Sequence, residues 1–263
     1  MNRDEWKGMS WKSRSWDRLG APLGVALLLA LGLGACSARG PQLYQLSADP
    51  LYELAVEKFE ARKWSDAIRA LDQFTGRFPG DPRNEEARFK LGLAHFEKKE
   101  FITAAAEMVR LASDYPRGRY AAEARYKSCE AYYRLSPKPQ LDQEYTHAAI
   151  DHCESLIVTF PNSEFAPKAE ELITELTEKL AEKAFLNADY YYKRKAYDSA
   201  ILYYEALLRE YPQTGSAPKA LLRLVQIYER LRYAEELEAA KDLLLTNYPD
   251  SKEAREAVEI EVG

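Results

Sequence analysis

The residues best suited to hold a metal lie between positions 147 and 153. His147, His152 and Cys153 are close together in the chain, and imidazole and thiolate are ligands that zinc prefers. A separation of five residues does not place two histidines on the same helical face, however, and no fourth ligand stands nearby in the sequence. The sequence therefore predicts no metal site and no cofactor.

The same stretch raises the question of a disulfide. Besides Cys36, the chain has two cysteines, Cys129 and Cys153, which could pair in an oxidising compartment. Both fall on predicted apolar helix faces, where a free cysteine behaves as a small buried hydrophobe. We favour two buried thiols, and a disulfide is the alternative.

The sequence shows no motif of enzyme catalysis. It contains no nucleophile elbow, no phosphate-binding loop and no His-Glu metalloenzyme signature. Its acidic residues follow solvated helical faces, as in the run Glu170, Glu171, Glu175 and Glu178. Nothing singles out a pair of them for acid–base chemistry, so no catalytic residue is predicted and we expect a protein that is not an enzyme.

Cys36 is the residue whose setting indicates a covalent modification. A basic start is followed by an apolar run from Leu19 to Ala35, which is too short and too glycine-rich for a membrane span but typical of a secretion signal. The run ends Leu33-Gly34-Ala35-Cys36, which resembles the bacterial lipobox. Residues 1–35 are therefore predicted to be a signal peptide, with Cys36 acylated after cleavage. Ordinary cleavage that leaves a free thiol is the alternative.

The residue after Cys36 indicates the destination of the protein. In lipoproteins of enterobacterial type, Asp at this position retains the protein in the inner membrane, so Ser37 implies an outer-membrane protein that faces the periplasm. Residues 36–50 are polar and contain Gly, Pro and Ser. They are predicted to be a tether between the lipid and the fold.

The charge balance limits the partners. The chain has 37 basic and 42 acidic residues, a net charge of −5. Removal of residues 1–35, with five basic and three acidic residues, leaves 32 and 39 and a net charge of −7. An acidic chain argues against a nucleic-acid partner, which requires a basic face.

An aromatic–proline pair recurs along the rest of the chain and marks a repeated unit. The successive prolines are separated by 37, 45, 51 and 37 positions. The pairs are Phe78-Pro79, Tyr115-Pro116, Phe160-Pro161, Tyr211-Pro212 and Tyr248-Pro249.

When positions are counted back from each proline, the same positions hold the same residue types in four of the copies. For the third copy, an eight-residue insertion is removed before counting. The residue 27 positions before the proline is aromatic, the one 24 before is small, and the one 12 before is alanine. These residues are Tyr52, Phe89, Tyr126 and Phe185; Ala55, Gly92, Cys129 and Ala188; and Ala67, Ala104, Ala149 and Ala200. The fifth copy departs, as a terminal repeat should, and its apolar positions are Leu221, Leu224, Tyr228 and Leu237.

Each unit predicts two short helices. In residues 185–212, Phe185 and Ala188 share one helical face, and Ala200 and Tyr204 share another. Pro212 ends the second helix because proline disfavours α geometry in the residue before it. One hairpin cannot bury its own apolar face, so the copies must stack. The pattern resembles the tetratricopeptide repeat, which implies an all-α solenoid of about five helical hairpins.

Two irregularities divide the array. The first is an insertion, Leu135–Tyr145, between the helices of repeat three. The second is the proline spacing of 51, which exceeds 37 by 14 residues. It predicts a first helix of about 28 residues in repeat four, or two helices that meet near Ala184. We expect an N-terminal part, residues 51–163, with repeats one to three, and a C-terminal part, residues 164–263, with repeats four and five.

These features together resemble the BamD family of outer-membrane assembly lipoproteins. The resemblance rests on the lipobox, the hairpins, the string Asp142-Gln143, Thr146, Ala149-Ile150, and Pro161-Asn162-Ser163 with Ala166. It implies a periplasmic scaffold that binds the periplasmic domains of the barrel protein BamA and receives unfolded outer-membrane proteins, with room for other accessory lipoproteins. Only Cys36 is carried over as a functional residue.

The concave face of such a solenoid is suited to an extended segment. We name Phe101, Tyr120 and Tyr132 as candidate partner contacts in the N-terminal part, and we expect the C-terminal part to contact BamA. One alternative is an envelope adaptor of the cell-division or Tol type, although that family usually begins with a coiled coil and lacks a lipobox. The other is a lipoprotein enzyme that acts on peptidoglycan, for which no catalytic residue stands out.

Overall fold

The computed structural model describes residues 42–260, which fold as a stack of antiparallel helical hairpins. A 3₁₀ turn at Leu43–Gln45 precedes the first helix. The helices of this range are α1 (Ala48–Glu60), α2 (Trp64–Arg77), α3 (Asn84–Glu97), α4 (Phe101–Asp114), α5 (Ala121–Leu135), α6 (Glu144–Thr159), α7 (Ala166–Lys193), α8 (Tyr197–Glu210), α9 (Ser216–Leu231), α10 (Ala234–Asn247) and α11 (Lys252–Val258). Successive pairs from α1/α2 to α9/α10 form five hairpins, so the predicted all-α solenoid is confirmed.

The small residues of the repeat lie where the helices cross. The alanines 12 positions before the first four prolines are at most 1% exposed, and the four small residues 24 positions before those prolines, with the insertion discounted, are also buried. Gly92 shows how close the approach is, because a Cβ atom there would lie 2.7 Å from Cε of Met108. The predicted register of the repeat is confirmed at these positions.

The turn between the two helices of a hairpin has the same conformation in four of the five repeats. One exposed basic residue adopts a left-handed backbone, with φ between 55° and 63°: Arg62, Lys99, Lys195 and Arg232. Its N–H and the following N–H donate to carbonyls of the preceding helix, as in the bonds from Lys195 N to Tyr192 O and from Ala196 N to Tyr191 O. This is a Schellman motif, and it ends the helix without the glycine that usually signals it.

Helix α7 is continuous over 28 residues. It begins with Pro167 in its first turn, a position that needs no N–H donor. It packs against α5 and α6, which precede it in the chain, and against α8 and α9, which follow it. The long helix expected at this point is therefore present, and no break occurs at Ala184.

Two features differ from the sequence expectations at the ends of the described range. Helix α1 begins at Ala48, inside the segment expected to be tether. Helix α11 was not predicted; Ser251 caps it by accepting a hydrogen bond from Ala254 N. Ala254 and Ala257 bury against Leu222 and neighbouring leucines of α9 and α10, so the last hairpin is partly covered.

The prediction of free thiols at Cys129 and Cys153 is wrong, because the two residues form a disulfide between α5 and α6. Both are fully buried, as expected. The two Cα atoms are 4.8 Å apart, a distance that a disulfide can span. The helical periodicity of the sequence correctly predicted that both cysteines are buried. Whether the two sulfur atoms meet depends on how α5 crosses α6, which periodicity does not specify.

Candidate partner-binding groove

The predicted acylation site, Cys36, lies outside the described residues. What the structure describes is the point where the chain enters the fold. The guanidinium of Arg77 on α2 donates hydrogen bonds of 3.0 Å to the carbonyls of Leu43 and Leu46. These bonds fix the entry segment, which begins seven residues after Cys36, to the C-terminal end of α2.

The three aromatic residues named as candidate contacts are half-buried, and each packs on another ring. Phe101 meets Phe96 edge to face at 5.2 Å, and Tyr120 stacks on Phe89 at 4.6 Å. Tyr132 stacks on His152 at 4.5 Å, and burial lowers the pKa of that histidine. Each ring therefore contributes to packing while keeping one part of its surface accessible.

The repeat-three insertion is held by a chain of hydrogen bonds. Lys179 Nζ on α7 lies 2.7 Å from Ser136 Oγ, which lies 2.7 Å from Thr146 Oγ1. Thr146 in turn donates to the buried side chain of Gln143 at 2.6 Å. Gln143 Nε2 donates to three carbonyls of the insertion, including that of Leu141. Burial lowers the pKa of Lys179. The loop is thus fixed against α7 despite its two prolines.

A cleft of about 550 Å³ opens beside this insertion. One wall is the start of α6 with the insertion, the floor is α7, and the other wall is the C-terminal end of α8. Among its lining residues are Asp142, His147, Lys183, Asn187, Glu210 and Tyr211. Its surface is polar and carries both signs of charge.

A second hollow, of about 260 Å³, lies further along α7 and shares Asn187 with the cleft. Tyr191 and Tyr203 form one wall, with rings 5.0 Å apart and an interplanar angle of 6°. Tyr190 stands perpendicular to Tyr191 at 5.4 Å. The phenol of Tyr203 raises the pKa of Tyr191. We call these three residues the tyrosine corner; it has open aromatic surface, since Tyr190 is 54% and Tyr203 is 42% exposed.

Sequence reasoning missed the tyrosine corner because it interpreted the tyrosines as packing residues. That holds for Tyr204, which is fully buried, but not for its neighbour Tyr203. Consecutive helical residues point about 100° apart, so the runs Tyr190-Tyr191-Tyr192 and Tyr203-Tyr204 cannot be buried on one face throughout. Runs of adjacent aromatic residues were the available signal.

Residues 44–243 match the YfiO family, whose description is outer membrane lipoprotein. The match begins one residue after the fold does and ends within α10. The chain belongs to the YfiO family. Relatives of the chain are named BamD, so the resemblance to the BamD family that the sequence predicted is confirmed.

Two such relatives are each called "Outer membrane protein assembly factor BamD". The one from Caulobacter vibrioides is 24% identical over 232 residues, which cover 87% of this chain and 76% of the relative. The one from Rickettsia prowazekii is 26% identical over 231 residues, covering 88% and 92%. The similarity therefore spans most of both proteins.

Solved structures with similar helical arrays include the TPR2AB-domain:pHSP90 complex of yeast Sti1. It is 15% identical, has a TM-score of 0.41, and is matched over 80% of this chain and 81% of its own. A tetratricopeptide protein from Thermus thermophilus is 15% identical, with a TM-score of 0.34 and coverage of 81% and 100%.

Two further observations concern residues 42–260 alone. No helix there combines the length and the apolar character needed to cross a membrane. In the same range, no three His, Cys, Asp or Glu side chains are grouped so that they could hold a metal ion.

Proposed function

We propose that this chain is a lipid-anchored scaffold for outer-membrane protein assembly. In this role it binds the periplasmic domains of a BamA-like barrel protein and receives unfolded outer-membrane proteins. The observation that carries the proposal is the family match over residues 44–243, together with relatives named as assembly factors. A helical solenoid supports such a role, because stacked hairpins offer long binding surfaces.

The anchor is proposed at Cys36, with removal of residues 1–35. Three acyl chains would hold the protein on a membrane, since each buried CH₂ contributes about 0.8 kcal/mol. Radiolabelled palmitate should enter the wild-type protein, and Cys36→Ala should accumulate as unlabelled, uncleaved precursor. Absence of label from the wild type would refute the anchor.

The C-terminal part, residues 164–263, is proposed to contact the BamA-like protein. It offers exposed aliphatic side chains on α10, where Leu243 is 53% and Leu245 is 37% exposed. Phe101, Tyr120 and Tyr132 are proposed as contacts for an unfolded chain, since each keeps accessible ring surface in the N-terminal part.

Affinity purification of the full-length lipoprotein from detergent-solubilised envelope tests the scaffold role. A BamA-like barrel protein should co-purify, and Leu243→Glu should reduce its recovery. Val158→Glu is the matched control, because Val158 is an 82% exposed aliphatic residue on α6, outside the proposed contact. Purification without any barrel protein would refute the proposed function.

A further inference from the structure

The turns inside the hairpins lie along one side of the helix stack, which we call the turn edge. Consecutive helices of the stack alternate in direction, so the first helices of all five hairpins end at the same side. The turn edge consists of residues 61–63, 98–100, 136–143, 194–196 and 232–233. The loops that join one hairpin to the next lie at the opposite edge.

The turn edge is basic, although the chain as a whole has a net charge of −5. Its four left-handed turns contain seven basic residues and one acidic residue, Glu100, and the repeat-three insertion adds one of each. The loops that follow the hairpins at the opposite edge contain three basic and three acidic residues. Positive charge is therefore concentrated on one side of the fold.

Most of these cations have no partner inside the protein. Lys98 forms a salt bridge of 2.7 Å with Glu100. The others are exposed and form no salt bridge within residues 42–260. They are Arg62, Lys63, Lys99, Arg194, Lys195 and Arg232.

A cation occupies the left-handed position of all four Schellman turns. Glycine is favoured at such a position, because a Cβ atom is strained at positive φ. A basic residue near the end of a helix does favour the helix dipole. However, Lys58, Lys193 and Arg230 already provide that charge in the last turns of α1, α7 and α9. The repeated strain therefore points to a ligand outside the fold.

An aromatic pair also flanks each left-handed turn. Its two rings are five residues apart in the chain, with centroids between 5.2 and 6.4 Å apart: Phe59 with Trp64, Phe96 with Phe101, Tyr192 with Tyr197, and Tyr228 with Tyr233. Apolar surface is exposed beside them, since Tyr233 is 46%, Ile102 is 54% and Leu141 is 58% exposed. Arg and Lys beside Trp and Tyr are typical of protein surfaces at the level of lipid headgroups.

From this arrangement we infer that the turn edge binds an anionic phospholipid surface. The unpaired cations meet the headgroup phosphates, and the accessible part of Trp64 enters the headgroup layer together with Ile102, Leu141 and Tyr233. The fold then lies with its hairpin turns on the membrane and its inter-repeat loops away from it. The inference rests on the proposed function only for the lipid anchor that holds the fold beside a membrane.

Trp64 is a natural probe of the turn edge. The other three tryptophans, Trp6, Trp11 and Trp16, lie within residues 1–35, which we propose are removed. The purified mature lipoprotein is reconstituted into vesicles whose acyl chains carry bromine, a contact quencher of indole fluorescence. Phosphatidylcholine vesicles are compared with vesicles that contain about one-third phosphatidylglycerol, which should quench Trp64 about twofold more strongly. The difference should disappear at about 0.5 M salt, because salt screens the attraction.

A pair of substitutions next to Trp64 tests the role of the cations. The double variant Arg62→Gln, Lys63→Gln should lower the ratio of docked to free turn edge about twentyfold, because each basic residue contributes to binding at an anionic surface. Most of the extra quenching should therefore be lost. The exchange Arg62→Lys, Lys63→Arg keeps both charges and should behave as the wild type does, which shows that the loss is not caused by a changed turn.

Two further variants serve as controls. The double variant Arg117→Gln, Arg119→Gln removes two exposed basic residues from the loop between α4 and α5, at the opposite edge. It should be quenched as strongly as the wild type. Trp64→Phe should abolish the emission, which identifies Trp64 as its source.

Flotation of the same samples separates this inference from the proposed anchor. A protein that floats with both kinds of vesicle, without additional quenching by phosphatidylglycerol, would overturn the turn edge and leave the anchor intact. Flotation and quenching with phosphatidylglycerol vesicles alone would support the turn edge and refute the anchor. Undiminished quenching of the neutral double variant would also overturn the inference. If Trp64 stays unquenched and the neutral variant instead loses a co-purifying envelope protein, the turn edge binds protein and the lipid surface is refuted.

Discussion

Cys129 and Cys153 occupy two positions that other repeats fill with one small and one large apolar residue. With the insertion removed, the two positions lie 24 and 8 residues before the closing proline. Their counterparts are Ala55 with Leu71, Gly92 with Met108, and Ala188 with Tyr204. In repeat three both positions are cysteine, and the two side chains are covalently joined. The disulfide therefore takes the place of the packing that a large side chain provides in the other repeats.

The disulfide should make a measurable contribution to stability. The two cysteines are 24 residues apart, and closing a loop of that size constrains the unfolded chain by about 3 to 4 kcal/mol. Reduction with dithiothreitol should therefore lower the urea midpoint of the wild type. The double variant Cys129→Ala, Cys153→Ala should show a similarly low midpoint that no longer responds to the reductant. Two free thiols titrated in the denatured, unreduced protein would refute the bond.

Ala200 tests the close packing of a single hairpin. It is fully buried where α7 and α8 cross, so Ala200→Leu should overpack the crossing and cost about 1–3 kcal/mol. Lys195→Ala, in the exposed turn of the same hairpin, should change the free energy of unfolding by less than about 0.5 kcal/mol. Equal losses in urea unfolding would mean that the repeat register is wrong.

At the scale of the elements, a carboxylate from one repeat caps the first helix of the next. Glu85 on α3 accepts from Tyr120 N at the start of α5, at 2.9 Å. Glu178 on α7 accepts from Gly215 N at 2.7 Å and from Ser216 Oγ at 3.0 Å. Each carboxylate satisfies an N–H that the helix leaves unpaired and lies at the positive end of its dipole. These contacts fix the position of one hairpin on its neighbour.

Removal of one such cap should loosen the C-terminal hairpins. Glu178→Ala should cost about 1 kcal/mol, the usual value of a side-chain cap. Glu182→Ala, four residues further along α7 and exposed, is the control and should be nearly neutral. The measurement is urea unfolding followed by circular dichroism. Indistinguishable midpoints for the two variants would show that the cap adds nothing.

At the scale of the whole described fold, α7 carries the connection between the early and the late repeats. It contacts α5 and α6 of repeat three, α8 of its own repeat, and α9 of repeat five. Its buried apolar residues are Ala166, Ala169, Leu176, Leu180, Ala181 and Ala188. This one helix therefore packs against helices of three consecutive repeats.

A break in α7 should therefore affect the entire fold. Glu182→Pro removes a backbone hydrogen bond and places the ring against the preceding turn, which costs about 3 kcal/mol or more in a helix interior. Because residue 182 is exposed, the loss reflects the backbone and not a lost core contact. Calorimetry should show a lower or divided unfolding transition, with Glu182→Ala as the control. A single transition at the wild-type temperature would contradict the coupling role of α7.

Local patterns in the sequence were sufficient for the repeat architecture. The offsets of Ala67, Ala104, Ala149 and Ala200 identified the helix crossings, because close packing admits only small side chains there. The 14 extra residues before repeat four predicted either one long helix or two helices that meet near Ala184, because the apolar periodicity runs through them without a break, and the structure has the single helix. The aromatic–proline pairs marked the helix ends through the steric effect of proline on the residue before it.

Contacts between elements were decided only by the tertiary structure. The four left-handed turns carry Arg or Lys, so no glycine marks their backbone conformation in the sequence. The Cys129–Cys153 bond depends on how α5 crosses α6, which helical periodicity does not specify. The cleft joins the insertion, α7 and α8, and the tyrosine corner needs Tyr191 and Tyr203 from different helices. Periodicity fixes the face on which a side chain lies, whereas the relative rotation and distance of two packed helices decide which side chains meet.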